Sequence, residues 1–152
     1  MQCNNFLKRA AVIFGSLALF AILALPVAAQ DDQMMNKMDH AKPTVAIIKA
    51  DWCSYCRKLE PTMKDLIEQY QDRINFVVLD VTTDEKVAES AATARKLGLS
   101  KWFEANKKKT STVAVFGEKN ALLFKTYNNR DREAYVRAFD DAIAKISSMK
   151  HG

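Results

Sequence analysis

Apolar residues are clustered along this chain in a few short runs, and their spacing assigns most elements. Thr44-Val45-Ala46-Ile47-Ile48-Lys49-Ala50 is a nearly continuous, β-branched apolar run after Pro43. It predicts a strand buried on both faces. Leu59, Met63, Leu66, Ile67 and Tyr70 then recur at helical spacing, one face of a helix over residues 57–70. Pro61 falls inside it and should kink its first turns. Residues 74–81 form a second strand, and the alanine-rich stretch 84–97, ended by Gly98, a second helix. Residues 99–110 fit no period; Trp102 and Phe103 are expected to dock on the core, with Lys107-Lys108-Lys109 a solvated turn. Residues 112–116 and 121–127 read as a hairpin closed by Gly117-Glu118-Lys119-Asn120. Asp131 opens a last helix with Val136, Phe139, Ile143 and Ile146 on one face.

The order is therefore β-α-β-α-β-β-α. A helix between the first two strands makes them parallel, and the hairpin adds antiparallel strands. No repeat or second domain interrupts residues 43–150.

The N-terminal pattern is different. Lys8 and Arg9 precede an uncharged stretch, residues 10–25, then Pro26 and the small residues Val27-Ala28-Ala29. This is the three-part layout of a secretory signal, with cleavage expected after Ala29. The apolar stretch is shorter than the ~20 residues of a spanning helix. An uncleaved membrane anchor is the alternative. Residues 1–29 are thus read as a signal peptide and 30–42 as a flexible, Met-rich leader. The expected location is exported: periplasmic or an equivalent extracytoplasmic compartment.

Charge and cysteine usage narrow the function. The net charge is +5, with Lys8 and Arg9 inside the expected signal, which is weak support for nucleic-acid binding. Of three cysteines, Cys3 would leave with the signal; Cys53 and Cys56 remain. One close pair does not build a stapled extracellular scaffold. Trp52-Cys53-Ser54-Tyr55-Cys56 lies between the first strand and the first helix. A dithiol at a helix N-terminus favours thiol–disulfide exchange, because helix N–H groups stabilise a thiolate. Asp80, Asp84 and Glu85 make no convincing metal or acid–base set, and the two histidines, His40 and His151, lie near the ends of the expected mature chain.

The element order, the Trp52-to-Cys56 motif and Pro61 five residues after Cys56 resemble the thioredoxin superfamily, over roughly residues 43–148. The resemblance implies an α/β, thioredoxin-like fold: a four-stranded mixed sheet flanked by helices, lacking the first strand and helix of full-length thioredoxins. It implies that Cys53 is the exposed nucleophile and Cys56 the more buried resolving thiol. Trp52, Tyr55, Thr110 and Ser111 would form the partner-binding rim, with an extended client segment adding beside Ser111. Arg57 would add positive charge or point into solvent. No separate cofactor is implied, since the Cys53–Cys56 disulfide is itself the redox group. The partners would be protein thiols or disulfides, with a membrane electron donor if the direction is reductive.

Three positions depart from the family pattern. Ser111 stands where a cis-proline usually precedes the third strand. A non-proline cis bond costs ~3 kcal/mol, so a trans bond is expected, with a backbone N–H that proline lacks made available. Ile47 and Val78 occupy the places of a buried acid and its lysine neighbour. These departures keep a second reading open, a thioredoxin-fold copper-binding protein or chaperone using the two thiols, Met34, Met35, Met38 and His40. A purely structural disulfide and a cluster shared between two chains are further alternatives.

Overall fold

The computed structural model describes residues 41–149. The expected signal segment and the leader through residue 40 lie outside the described residues. Four strands and four helices follow in order: β1 Thr44–Lys49, α1 Ser54–Tyr70, β2 Asn75–Asp80, α2 Asp84–Lys96, α3 Ser100–Asn106, β3 Thr112–Phe116, β4 Leu122–Tyr127 and α4 Arg132–Met149.

The strands form one sheet in the order β2-β1-β3-β4. β1 runs parallel to β2, with Ile47 opposite Val78, and antiparallel to β3, with Ile47 opposite Val113. β3 and β4 make the expected antiparallel hairpin. The mixed, four-stranded architecture anticipated from the apolar runs is the one observed. β1 and β3 are central, so their side chains are buried on both faces, whereas Val78 on the edge strand β2 is 47% exposed.

Two apolar layers cover the sheet. On one face Val45, Ile47, Val113 and Val115 meet Leu59, Met63 and Leu66 of α1 and Tyr135, Phe139 and Ala142 of α4. On the other, Ala46, Ile48, Leu79 and Phe116 meet Ala94 of α2 and Phe103 of α3. Cys53 belongs to this second layer, with Cys56 packed at its margin.

Several elements depart from the pattern-based reading. α1 starts at Ser54, one turn earlier than its apolar stripe, because Cys53 caps it and the first turn is polar. It continues through Pro61, whose missing N–H removes one internal hydrogen bond. Residues 100–106 are helical rather than irregular; two positions, Phe103 and Asn106, are buried there, too few to display a period. Trp102 does dock, edge-to-face on Phe116 with ring centroids 5.3 Å apart. On α4 the buried face is Tyr135, Ala138, Phe139, Ala142 and Ile146, so Val136 and Ile143 only flank it. Asp131 does open that helix: its Oδ1 accepts from the N–H groups of Glu133 and Ala134 at 3.0 and 3.3 Å.

Gly98 ends α2 at φ +71°, and a Cβ there would sit 2.6 Å from Asn120 Nδ2. That amide donates to the Leu97 carbonyl at 2.9 Å, which ties the β3–β4 turn to the end of α2.

Candidate active site

The chain leaves β1 at Lys49 and must reverse direction before α1. The turn is closed by the Cys53 N–H donating to the Ala50 carbonyl at 3.1 Å. Cys53 keeps extended backbone angles, as an N-cap residue does, and its Sγ accepts from the Cys56 N–H at 3.1 Å. Sulfur here takes the place of the usual capping oxygen. Cys53 and Cys56 are joined by a disulfide, with Cα atoms 5.2 Å apart.

The order of burial differs from the one the family resemblance implied. Cys53 is 7% exposed and packs among the second apolar layer. Cys56, inside the first turn of α1, is half-buried.

Two aromatic residues flank the pair and project outward. Trp52 is 62% and Tyr55 45% exposed. Trp52 Nε1 donates to the Thr82 carbonyl at 3.3 Å, which fixes the indole at the β2–α2 loop. Arg57 is exposed, and its Nη1 donates to the Asp51 carbonyl at 2.9 Å.

A polar network holds this loop on the sheet. The Asp51 N–H donates to Thr82 Oγ1 at 3.0 Å, and the Thr82 N–H donates to Asp80 Oδ1 at 2.8 Å. Lys49 Nζ lies 3.3 Å from Asp51 and 3.5 Å from Asp80. Burial pushes the Asp80 carboxyl up, but the Thr82 hydrogen bonds and the Lys49 charge outweigh it and hold the group below its ordinary value. Burial also opposes the Lys49 charge, and the two carboxylates overcome it, so its pKa is raised.

Ser111 departs most from the sequence reading. No peptide bond among the described residues is cis, and Ser111 adopts φ +65°. Its N–H donates to the Ile48 carbonyl at 2.8 Å, and its own carbonyl accepts from the Asn128 N–H at 3.2 Å. The N–H expected to become available is therefore consumed within the sheet. The same two bonds leave Ser111 no backbone edge for an added strand. Ser111 is also 2% exposed, so it is no part of an exposed rim, and its hydroxyl has no hydrogen-bond partner. Thr110 beside it is half-buried. The structure thus brings Trp52 and Tyr55 to the surface beside the disulfide and buries Ser111.

Sequence reasoning missed a cavity of about 580 Å³ between α1 and the β1–β2 edge. Ile47, Leu59, Met63, Ile67 and Val78 supply its apolar side, and Cys56, Ser111 and the charged Lys49, Asp51, Arg57, Glu60 and Lys64 also line it. The signal was present in Ile47 and Val78, two apolar residues at positions the family fills with charge. Only the parallel register that sets them opposite each other shows that they share one space.

No group of three or more His, Cys, Asp or Glu side chains suited to a metal occurs among the described residues. Met34, Met35, Met38 and His40 lie outside them. No helix of the described residues is long and apolar enough to cross a membrane.

The thioredoxin family model matches residues 26–115. The chain is 37% identical over 75 residues to the chloroplastic thioredoxin-like protein HCF164 of Oryza sativa subsp. japonica, covering 44% of this chain and 29% of that protein. It is 30% identical over 74 residues to a thiol:disulfide interchange protein TxlA homolog of Synechocystis sp., covering 49% and 37%. The chain thus spans well under half the length of these curated relatives. The solution structure of a thioredoxin-like protein in its oxidized form superposes with a TM-score of 0.50 at 17% identity, over 68% of this chain and 79% of that one. At that identity the likeness concerns the fold alone.

Proposed function

Because this chain belongs to the thioredoxin family, we propose that it is a thiol–disulfide oxidoreductase acting on protein disulfides. The observation that carries the reading is the Cys53–Cys56 disulfide at the start of α1, with the Cys56 N–H donated to Cys53 Sγ. In the reduced protein that N–H and the helix dipole favour thiolate at Cys53, against the opposing effect of its apolar surroundings. The thiolate attacks one sulfur of a client disulfide and expels the other as a thiol. Cys56 then attacks Cys53 Sγ in the mixed disulfide, re-forming the Cys53–Cys56 bond and releasing the second client thiol. Two electrons pass to the client, and the dithiol is the whole redox group. Exposed Trp52 and Tyr55 would supply the client-facing surface.

The reading extends to location and donor. The signal-like pattern of residues 1–29 supports an exported, periplasmic or equivalent site of action. There a reductive role draws electrons from a membrane donor.

The test is insulin reduction and the dithiol reduction potential of the full chain and of Cys53→Ser. Exchange that is lost in the variant is expected. Wild-type protein without exchange activity, but taking up copper stoichiometrically, would overturn the reading in favour of a metal carrier. N-terminal sequencing of the protein recovered from its host checks export; an intact Met1 in the cytosolic fraction would refute it.

A further inference from the structure

The charge of this domain is unevenly placed. Residues 95–125 carry eight cationic side chains and two carboxylates. Helices α1 and α4, which cover the first face of the sheet, carry three of each sign apiece. The positive excess thus belongs to the end of α2, to α3 and to the β3–β4 hairpin.

The fold gathers these cations on the second face. The Asn120 amide, donating to the Leu97 carbonyl at 2.9 Å, holds the turn that carries Lys119 against the end of α2, where Arg95 and Lys96 lie. Lys101 stands near the start of α3, and Lys107-Lys108-Lys109 follow its end. Phe103 of α3 and Ala114 of β3 belong to the second apolar layer, and Lys125 of β4 is opposite Ala114, so its side chain is on the same face. All of these cations are exposed except the half-buried Lys107, which pairs with Glu104 at 2.6 Å. Arg95 and Lys96 complement the dipole at the end of α2. Lys101, Lys108, Lys109, Lys119 and Lys125 have no carboxylate partner among the described residues. Their mutual repulsion opposes the compact state.

We propose that this face docks on a bilayer rich in anionic phospholipid, with its lysines at the headgroup phosphates. The proposal stands independently of the exchange reading. Two observations favour a lipid surface over an acidic protein. The uncharged stretch 10–25, read as signal or anchor, is separated from the described domain by residues 26–40, a span of at most ~50 Å. Leu122, 49% exposed, begins β4 directly after the basic turn, and offers the interface an apolar side chain beside the cations. Each lysine near such a surface contributes about fivefold in affinity. Lys109 lies two residues before Ser111, whose N–H donates to Ile48 near the end of β1. That is the end of the sheet from which the disulfide loop departs, so docking by this face holds the disulfide close to the bilayer.

The protein as recovered from its host is titrated with vesicles of phosphatidylcholine alone and with about one-third phosphatidylglycerol. The ratio of the two partition coefficients reads the electrostatic part, because any retained apolar segment contributes to both. The expected ratio is at least ~tenfold at low salt and falls as salt is raised. The triple variant Lys101→Gln, Lys108→Gln, Lys109→Gln should lower it at least ~fivefold. Lys58→Gln, Arg137→Gln, Lys145→Gln removes the same charge from α1 and α4 and should lower it less than ~twofold. Circular dichroism establishes that both variants are folded. Equal binding to the two vesicles, or equal losses in the two triple variants, would overturn the proposal. So would retention of poly-L-glutamate without preference for anionic vesicles, which assigns the face to an acidic protein.

Discussion

Ser111 donates its backbone N–H to the carbonyl of Ile48 at 2.8 Å, from a left-handed conformation at φ +65°. This bond ties the residue before β3 to the end of β1. Neither feature is open to proline, which has no N–H and a φ fixed near −65°. The serine is therefore built into a different loop conformation and is not a passive replacement.

Ser111→Pro should consequently destabilise the protein rather than restore a family feature. The lost hydrogen bond costs ~1 kcal/mol and the incompatible φ another ~1–3 kcal/mol. Ser111→Gly relieves the left-handed strain and should leave stability equal or raised by ~0.5 kcal/mol. Urea unfolding monitored by circular dichroism separates the two; a proline variant as stable as wild type would show that the loop rearranges freely.

The apolar runs were enough to place all four strands, since β1 and β3 are buried on both faces and β4 follows a turn rich in polar residues. The disulfide loop was equally legible from Trp52 to Cys56. What escaped was information carried by backbone conformation and register. A serine in sequence gives no sign of φ +65°, and nothing in Cys53 announces that it will cap α1 and be buried. α3 was invisible because it buries only Phe103 and Asn106. Tyr135 is absent from the apolar face read for α4, yet it is fully buried and its hydroxyl finds a partner inside.

Phe139 shows where the first apolar layer is held. It is fully buried, edge-to-face with Tyr70 at 5.4 Å and with Phe76 at 5.7 Å between ring centroids. Phe139→Ala should cost ~3–5 kcal/mol, and Phe139→Leu ~1–1.5 kcal/mol. The difference is read from chemical denaturation midpoints at constant m-value. Equal costs for the two variants would mean that the loss follows the ring contacts, which both remove, and not the buried volume.

Asp80 gives the disulfide loop an acid-sensitive anchor. Its carboxyl is held below the ordinary 3.8 because the Thr82 hydrogen bonds and Lys49 outweigh the opposing effect of burial. A depressed native pKa stabilises the fold above the unfolded value, and that stability is lost as pH falls through the native one. Asp80→Asn keeps the shape and removes the charge. It should cost ~1 kcal/mol at pH 7, with wild type and variant converging as pH falls below the ordinary 3.8 and through the depressed native value. Thermal melts between pH 2.5 and 7 check this; a gap that persists undiminished at the acid end would rule out the carboxylate's charge as its cause.

Tyr135 controls the opposite end of the pH range. It is fully buried, and its hydroxyl donates to the Asn129 carbonyl at 2.7 Å, bracing the loop that enters α4. Burial first, and then the Asp131 charge, push its phenol from 10.0 up to about 12. A raised pKa in an acid means that the native state keeps a proton the unfolded chain has already released. Stability is therefore intact below pH 10 and declines from about 10 towards 12, by at most ~1.4 kcal/mol per pH unit. Tyr135→Phe loses the hydrogen bond and leaves the Asn129 carbonyl unpaired, so it should be ~1 kcal/mol less stable at pH 7. It also lacks this titration, so its alkaline decline should be shallower and the two proteins should reach equal stability near pH 11. Denaturation at a series of pH values from 7 to 11.5 measures both limbs. Parallel alkaline slopes would show that Tyr135 does not titrate between the two states.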